Sequence, residues 1–330
     1  MQNRNADPET TKPAKPKRSR LRRLILVVLA ILLVPYLSSR IASPFRRVRV
    51  VAKSAVGNSG RADSSDCLRV LTYNIAHGRG LEESNWDGGD AAARQTRLDA
   101  IAQVLRKANA DVVILNEVDF DSSWSNGINQ AEFLAAEAGY SYWVEQRNLD
   151  FRVLFWTWKF GNSILSKYPL SNAQVVDVPG YSATETLLAG QKRALRVNVK
   201  FGRRDVCVIA AHLCHRSETI RAESMEALLN VARSFDGNTI IAGDLNSSPP
   251  ELRNTAASDV NAISTLDDSK MFQRWPVEPP TSLEQFTFRF GDFQTVIDWI
   301  LIPRTATYLD YQVIDTDLSD HRPVATGIRF

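Results

Sequence analysis

Two periods of apolar and polar residues alternate along most of this chain. From Cys67 onward, short apolar runs bounded by polar or turn residues read as strands. They are "LRVLTY" from Leu68, "DVVILN" from Asp111, "NSILS" from Asn162, "ALRVNVKF" from Ala194, "DVCVIAAHL" from Asp205, "TIIAG" from Thr239, "VIDWILI" from Val296 and "PVATGIRF" from Pro323. Between them lie segments with the helical period. Arg94 to Lys107 sets Leu98, Ile101, Ala102 and Leu105 at i, i+3, i+4 and i+7. Asn129 to Ala138 and Glu218 to Ser234 read as helices on the same grounds. No repeat appears and no linker divides this body, so residues 67–330 are expected to form one α/β domain.

A different pattern precedes it. Residues 24–37, "LILVVLAILLVPYL", are continuously apolar. Fourteen residues fall short of the roughly 20 that cross a bilayer unaided. The length also suits the core of a signal peptide. An anchor is the first reading, because the preceding segment is long and basic and residues 38–43 offer no good small-x-small cleavage pair. A cleaved signal and a buried core helix are the other two. Residues 1–23 read as a basic disordered arm and residues 38–66 as a linker.

Charge sharpens this division. Residues 1–65 hold 14 Lys and Arg against three Asp and Glu, a balance of +11. The whole chain is +3, so residues 66–330 carry 3 − 11 = −8. An acidic body argues against a broad polyanion-binding face. The stronger basic flank precedes the apolar run, which directs the body to the outside of the cytoplasm, although Arg46, Arg47 and Arg49 oppose this. Three cysteines make no disulfide framework. Cys207 and Cys214 flank one strand and are too far apart to bridge; a pair involving Cys67 stays open.

Polar residues recur where apolar strands end: Asn74, Glu117, His212, and Asp244 with Asn246; Asp298 lies early in "VIDWILI", and Asp320 and His321 precede the final strand. Ligand-binding and catalytic groups of α/β sheets gather at such ends. Singly, each has an ordinary explanation as a turn, a solvated carboxylate or a hydrogen-bonded histidine. In "LSDHRPV", Asp320 and His321 are adjacent, and neighbouring side chains of an extended chain face opposite ways. A partner for the ring must therefore come from elsewhere.

Taken in order, the motifs "TYNI" with Asn74, "NEV" with Glu117, "GNSILSKYPL" from Gly161, "AHL" with His212, "GDLN" with Asp244 and Asn246, "IDWIL" with Asp298 and "SDHRPV" with Asp320 and His321 cover nearly all of residues 67–330. In these the chain resembles the endonuclease/exonuclease/phosphatase superfamily of metal-dependent phosphoesterases. Asn116 departs from the pattern, standing where the family usually has Gln. The resemblance implies a four-layer α/β sandwich, two packed mixed sheets with helices on the outer faces. It implies that Asp298 holds His321, leaving Asp320 free to approach a metal. It assigns Asp244 to deprotonating a water, with Asn246 orienting it.

Phosphoester cleavage also needs a cation, and carboxylate and amide oxygens suit Mg²⁺, with Mn²⁺ the alternative. Glu117 is the first-choice ligand, with Asp320 and Asn74 beside it. His321 and His212 are expected to stabilise the pentacoordinate oxygens, and Arg193 and His212 to bind the substrate phosphate. The expected substrate is a lipid headgroup or small phosphoester. The alternatives are a nuclease acting on DNA or RNA and a catalytically silent binding module. Phe151, Phe155, Trp156, Trp158 and Phe160 fit base stacking, a membrane interface or a core-packed hairpin. The chain is expected to act as a monomer.

Overall fold

A computed structural model describes residues 18–52, 67–249, 260–291 and 293–330. In chain order its elements begin with helix α1 (Arg18–Ala42), β1 (Val48–Ala52), β2 (Cys67–Asn74), α2 (Ala91–Ala108), β3 (Val112–Asp119) and α3 (Gln130–Ala138). They continue with β4 (Tyr142–Val153), β5 (Trp156–Ser166), β6 (Leu170–Asp177), α4 (Ala183–Ala189), β7 (Arg193–Phe201), β8 (Arg204–His212), α5 (Glu218–Arg233) and β9 (Asn238–Asp244). The last are α6 (Ala262–Ser269), β10 (Phe272–Gln273), β11 (Phe288–Phe290), β12 (Phe293–Thr295), β13 (Asp298–Pro303), β14 (Thr307–Tyr308), β15 (Gln312–Val313) and β16 (Val324–Arg329).

Two mixed sheets form the body. One has the order β1-β4-β5-β3-β2-β16-β14, with β15 also on β16; the other runs β10-β13-β9-β8-β7-β6. Each is antiparallel except at one rung, β2–β3 in the first and β8–β9 in the second. A parallel pair needs a helical crossover; α2 supplies the first and α5 the second. The sheets pack face to face through β-branched side chains. Val70, Val112 and Ile164 of the first meet Val197, Val208 and Ile240 of the second with no exposure. On the outer faces, Leu98, Ile101 and Leu105 of α2 and Leu134 of α3 cover the first sheet. Met225 and Leu228 of α5 and Ile263 of α6 cover the second. This is the four-layer α/β sandwich.

Helix starts follow local chemistry. Asp90, Asn129 and Ser217 are N-caps whose side chains accept from the backbone N–H of Ala93, Glu132 and Ile220.

The N-terminal boundaries differ from the expected ones. The apolar run is the middle of a 25-residue helix that includes residues 38–42 of the expected linker. Its stretch Arg20–Ala42 is long and apolar enough to cross a membrane. Leu21, Ile41 and Ala42 extend the apolar surface past the run. A further piece of that linker, β1, is an edge strand on β4. The rest of the expected arm and linker, residues 1–17 and 53–66, lies outside the described residues. Cys207 and Cys214 are buried free thiols.

Candidate active site

Strand register assembles the site. In the second sheet Asp244 pairs with His212 of β8 on one side and with Asp298 of β13 on the other. Three functional side chains thus stand in one row across adjacent strands. Gly243, just before Asp244, has φ +139°, and a Cβ there would sit 1.9 Å from the carbonyl oxygen of Ala211. Only glycine lets β9 approach β8 this closely. In the first sheet Asn74 and Asn116 are partners on β2 and β3. Glu117 follows at a register shift against β5 and has φ +52°. A bulge and a left-handed residue re-aim one side chain out of a strand. Glu117 is accordingly the half-exposed member of an otherwise buried β3. Asn246, at φ +49°, is similarly placed beyond β9, in a conformation that Asn tolerates.

His321 enters from the loop before β16 and lies between the sheets. Its Nδ1 is 2.9 Å from Oδ2 of Asp298, and both residues are buried. Its Nε2 is 3.4 Å from Nδ2 of Asn74 and 3.8 Å from Oδ2 of Asp244. Asn74 donates to that same Asp244 oxygen at 3.1 Å, while Asn246 donates its backbone N–H to Oδ1 of Asp244 at 2.9 Å. Asn74, expected among the metal ligands, therefore donates to Asp244 and lies beside the ring of His321, with its Oδ1 accepting from Ala76 N–H.

Burial opposes a charge on the His321 ring, but contact with Asp298 and the nearby Asp244 and Asp320 outweigh it and raise its pKa well above the usual imidazole range. Asp298, buried outright, is pushed up by desolvation and pulled back by the ring. His212 behaves in the opposite way. Burial and the Lys192 ammonium hold it down to about 3, so the ring is neutral. Its Nε2 accepts from Lys192 Nζ at 2.6 Å and lies 3.4 Å from Oδ2 of Asp244.

A second group of charges faces this one. Arg79 donates to Oε2 of Glu117 at 3.3 Å and to Oδ2 of Asp320 at 2.8 Å. His77 places Nδ1 2.8 Å from Asp119 and Nε2 3.5 Å from Glu117. Burial lowers the pKa of His77, but Asp119 and Glu117 raise it further, which favours the charged ring. Desolvation likewise opposes ionisation of Glu117, and the surrounding His77, Lys192 and Arg79 override it and hold the carboxyl far below its ordinary range. Glu117 and Asp320 thus converge on one centre of positive charge, and their hard oxygens are the donors a Mg²⁺-like ion takes. That donor set fits a divalent cation. Buried Asp244, Asp298 and His321 also bring ligand atoms within 4.8 Å of one another. In that trio Nδ1 of His321 and Oδ2 of Asp298 are already paired with each other, whereas Glu117 and Asp320 could hold a cation between the sheets' ends.

Sequence reasoning missed Arg79, His77 and Lys192. The first two follow Asn74 in "TYNIAHGR", in a short 3₁₀ turn where His77 has φ +54°. Lys192 directly precedes Arg193, the expected phosphate binder, and is the residue that reaches His212. The guanidinium of Arg193 donates instead to Asp177 and to Gln191.

Asn116 explains its own position. Its Oδ1 accepts from Asp244 N–H at 2.9 Å, and its Nδ2 donates to Ala211 O at 3.1 Å and to Asn162 at 2.8 Å. Asn162 in turn donates to Gln146 and to the carbonyl of Arg193. A buried amide therefore bolts the first sheet to β8 and β9 beneath the site.

Residues 71–321 match the Endonuclease/Exonuclease/phosphatase family. The chain belongs to this family. Its fold agrees with those of solved members. An endonuclease/exonuclease/phosphatase from Beutenbergia cavernae superimposes with a TM-score of 0.56 and 23% identity, covering 80% of this chain and 72% of that one. One from Bacteroides vulgatus gives 0.58 and 16% identity, over 79% and 98%. ANGEL2, a 2′,3′-cyclic phosphatase solved with adenosine-2′,3′-vanadate, gives 0.55 and 16% identity, over 79% and 95%. No curated protein matches the chain. Endonuclease/exonuclease/phosphatase membership places it among phosphoesterases, a family that is as a rule dependent on a divalent metal.

Proposed function

We propose that this protein is a membrane-tethered, Mg²⁺-dependent phosphoesterase that hydrolyses a lipid-headgroup or small phosphoester by in-line attack of water. One observation carries the reading: the charged His321–Asp298 pair and the Asp244 carboxylate face a second carboxylate pair, Glu117 and Asp320, across Asn74. A general base and an oxyanion stabiliser thus stand on one side and a cation site on the other. A bound ion would supply charge neutralisation for the phosphate and leaving oxygen. Glu117 and Asp320 would hold it. Asp244 takes the proton from the attacking water, with Asn246 and Asn74 fixing the carboxylate. His321, kept charged and in one orientation by Asp298, donates from Nε2 to a phosphate oxygen. His212, neutral with Nε2 already accepting from Lys192, has no proton there for a phosphate oxygen and instead positions the ammonium of Lys192, which brings the positive charge.

Helix α1 supports the tether, being 25 residues long and largely unburied. The basic flank before it supports a body outside the cytoplasm. The acidic body supports a lipid or small phosphoester over a nucleic acid. The deciding experiment is a panel of bis(p-nitrophenyl)phosphate, sphingomyelin, inositol phosphates, plasmid DNA and abasic duplex, each with and without Mg²⁺ or Mn²⁺. Metal-dependent turnover of the lipid or small phosphoesters is expected. Turnover of DNA alone overturns the substrate class, and no turnover at all overturns the enzyme reading.

A further inference from the structure

The hairpin that joins β4 to β5 ends in an unusual turn. Val153 pairs with Trp156, so the loop is the two residues Leu154 and Phe155. Two-residue hairpin loops favour Asn-Gly or Gly because they require positive φ. Here Leu154 takes φ +54°, a conformation that strains a bulky side chain. Leu154, Phe155 and Trp156 are 46%, 75% and 46% exposed. A strained turn thus presents three large apolar side chains to the outside, beside the exposed cation of Arg152.

The path of the chain shows which way this tip points. Ala52 pairs with Tyr142 and Val48 with Gln146, and the carbonyl of Arg47 accepts from Arg147 N–H. Ser39 bonds to Asp150 and Arg152, and the ring of Tyr36 meets Phe151 edge-on at 5.6 Å. Passing back along the chain from residue 52 to residue 36 therefore means passing forward along β4 from residue 142 to residue 151, toward the tip. Beyond Tyr36 the helix leaves the domain, and Leu24 to Val34 are exposed. The apolar helix and the apolar tip emerge at the same end.

The active site lies at that end too. β5 runs from the tip at Trp156 to Gly161, which pairs with Val118 beside Glu117. Five residues of strand span about 16 Å. A line of rings fills this interval: Phe151 touches Trp158 at 4.6 Å, Trp158 lies 6.4 Å from Trp124, and Trp124 is 5.7 Å from His77.

We infer that the β4–β5 tip is a second membrane contact, seated in the headgroup layer of the bilayer that α1 spans, and that it presses the active-site end of the domain against the lipid surface. This rests on the reading of α1 as an anchor. The uninterrupted apolar run alone is 14 residues, about 21 Å of helix, so crossing about 30 Å of hydrocarbon also takes in flanking residues of the Arg20–Ala42 stretch. A short span draws its flanks toward the bilayer. Tyr36, Ser39 and the tip alongside them are the flank on this side. Trp and Arg152 suit an interface where rings and cations meet anionic and zwitterionic headgroups. The substrate is then a phosphoester standing in the membrane surface, reached along the aromatic line.

The test uses the full chain reconstituted in phosphatidylcholine vesicles with brominated acyl chains, which quench nearby tryptophan. Quenching is expected in the wild type and most of it is expected to vanish in Trp156→Phe. The double variant Phe155→Ser/Trp156→Ser is expected to hydrolyse a vesicle-borne phosphoester about tenfold more slowly. It should hydrolyse soluble bis(p-nitrophenyl)phosphate at the wild-type rate, which also shows that it has folded. Co-flotation with vesicles reads α1 separately. Flotation without Trp156-dependent quenching overturns the seating but keeps the anchor. Failure to float overturns the anchor reading and the seating with it. Protection of Trp156 from aqueous quenchers by single-stranded DNA, with no lipid effect, overturns the bilayer as partner.

Discussion

Replacing Asp298 by Asn keeps the size of the side chain and removes its charge. The lost contact is between two buried groups whose Nδ1 and Oδ2 are 2.9 Å apart. Unit charges about 4 Å apart interact by about 4 kcal/mol at an effective dielectric of about 20. At about 1.4 kcal/mol per pKa unit, His321 loses about three units of support for its charged form. Asp244 and Asp320 still favour the cation, so the ring's pKa falls from about 10 to about 7. At neutral pH about half of the molecules then carry a neutral ring, and its orientation is no longer fixed. Turnover should fall by about two to four orders of magnitude. The assay is hydrolysis of bis(p-nitrophenyl)phosphate with saturating Mg²⁺, normalised to folded protein by thermal melting, over a range of pH. Wild-type activity should hold from neutral into alkaline pH, because the raised pKa keeps His321 charged there. Asp298→Asn should regain part of its loss as pH falls. Stability has the same sign: the pair's contribution is complete below the unfolded histidine pKa of about 6.5 and fades only as pH rises through the raised native value. His321→Ala should cost at least as much turnover, and the double variant little more, because the two act as a unit. Additive losses, or a pH profile that does not move, would refute the pairing.

Glu117→Gln keeps the fold's contacts but removes the charge a cation needs; activity should drop about a hundredfold or more and recover in part at high Mg²⁺, with metal affinity read by calorimetry. Lys192→Met should raise the His212 pKa from about 3 toward, but not to, its usual value, since burial remains; NMR titration of the ring reads this. Gly243→Ala drives a Cβ to 1.9 Å from Ala211 O and should either abolish folding or lower stability by about 3 kcal/mol or more in a melting experiment.

The strands that carry the site were legible because both of their faces are buried, so β2, β3, β8 and β9 read as unbroken apolar runs ending in a polar residue. β4 was not. Its interior holds Glu145, Gln146, Asn148 and Asp150, all buried, which in sequence look like a loop. Arg147 answers Glu145 and Asp150 at 3.1 and 2.7 Å, and amides answer the rest, but those partners follow from tertiary structure and not from spacing. β1 was hidden by Arg49, which side by side with valines suggests a linker until Glu145 is placed across from it. For the site, ends of apolar strands pointed to Glu117, His212 and Asp244 directly, while Asp298, at the start of its strand, was reached through the resemblance. Arg79 and Lys192 sit in turns with no periodic signal, and their positions depend on how the two sheets are stacked.

The amide of Asn116 separates two kinds of variation. It fixes the backbone of Asp244 to the first sheet from below, through groups that never meet solvent. The spacing between the base and the cation site is therefore inherited from the frame, while the β4–β5 tip is attached outside it. A lineage is free to exchange that attachment, and with it the surface the domain visits, without retuning the reaction itself.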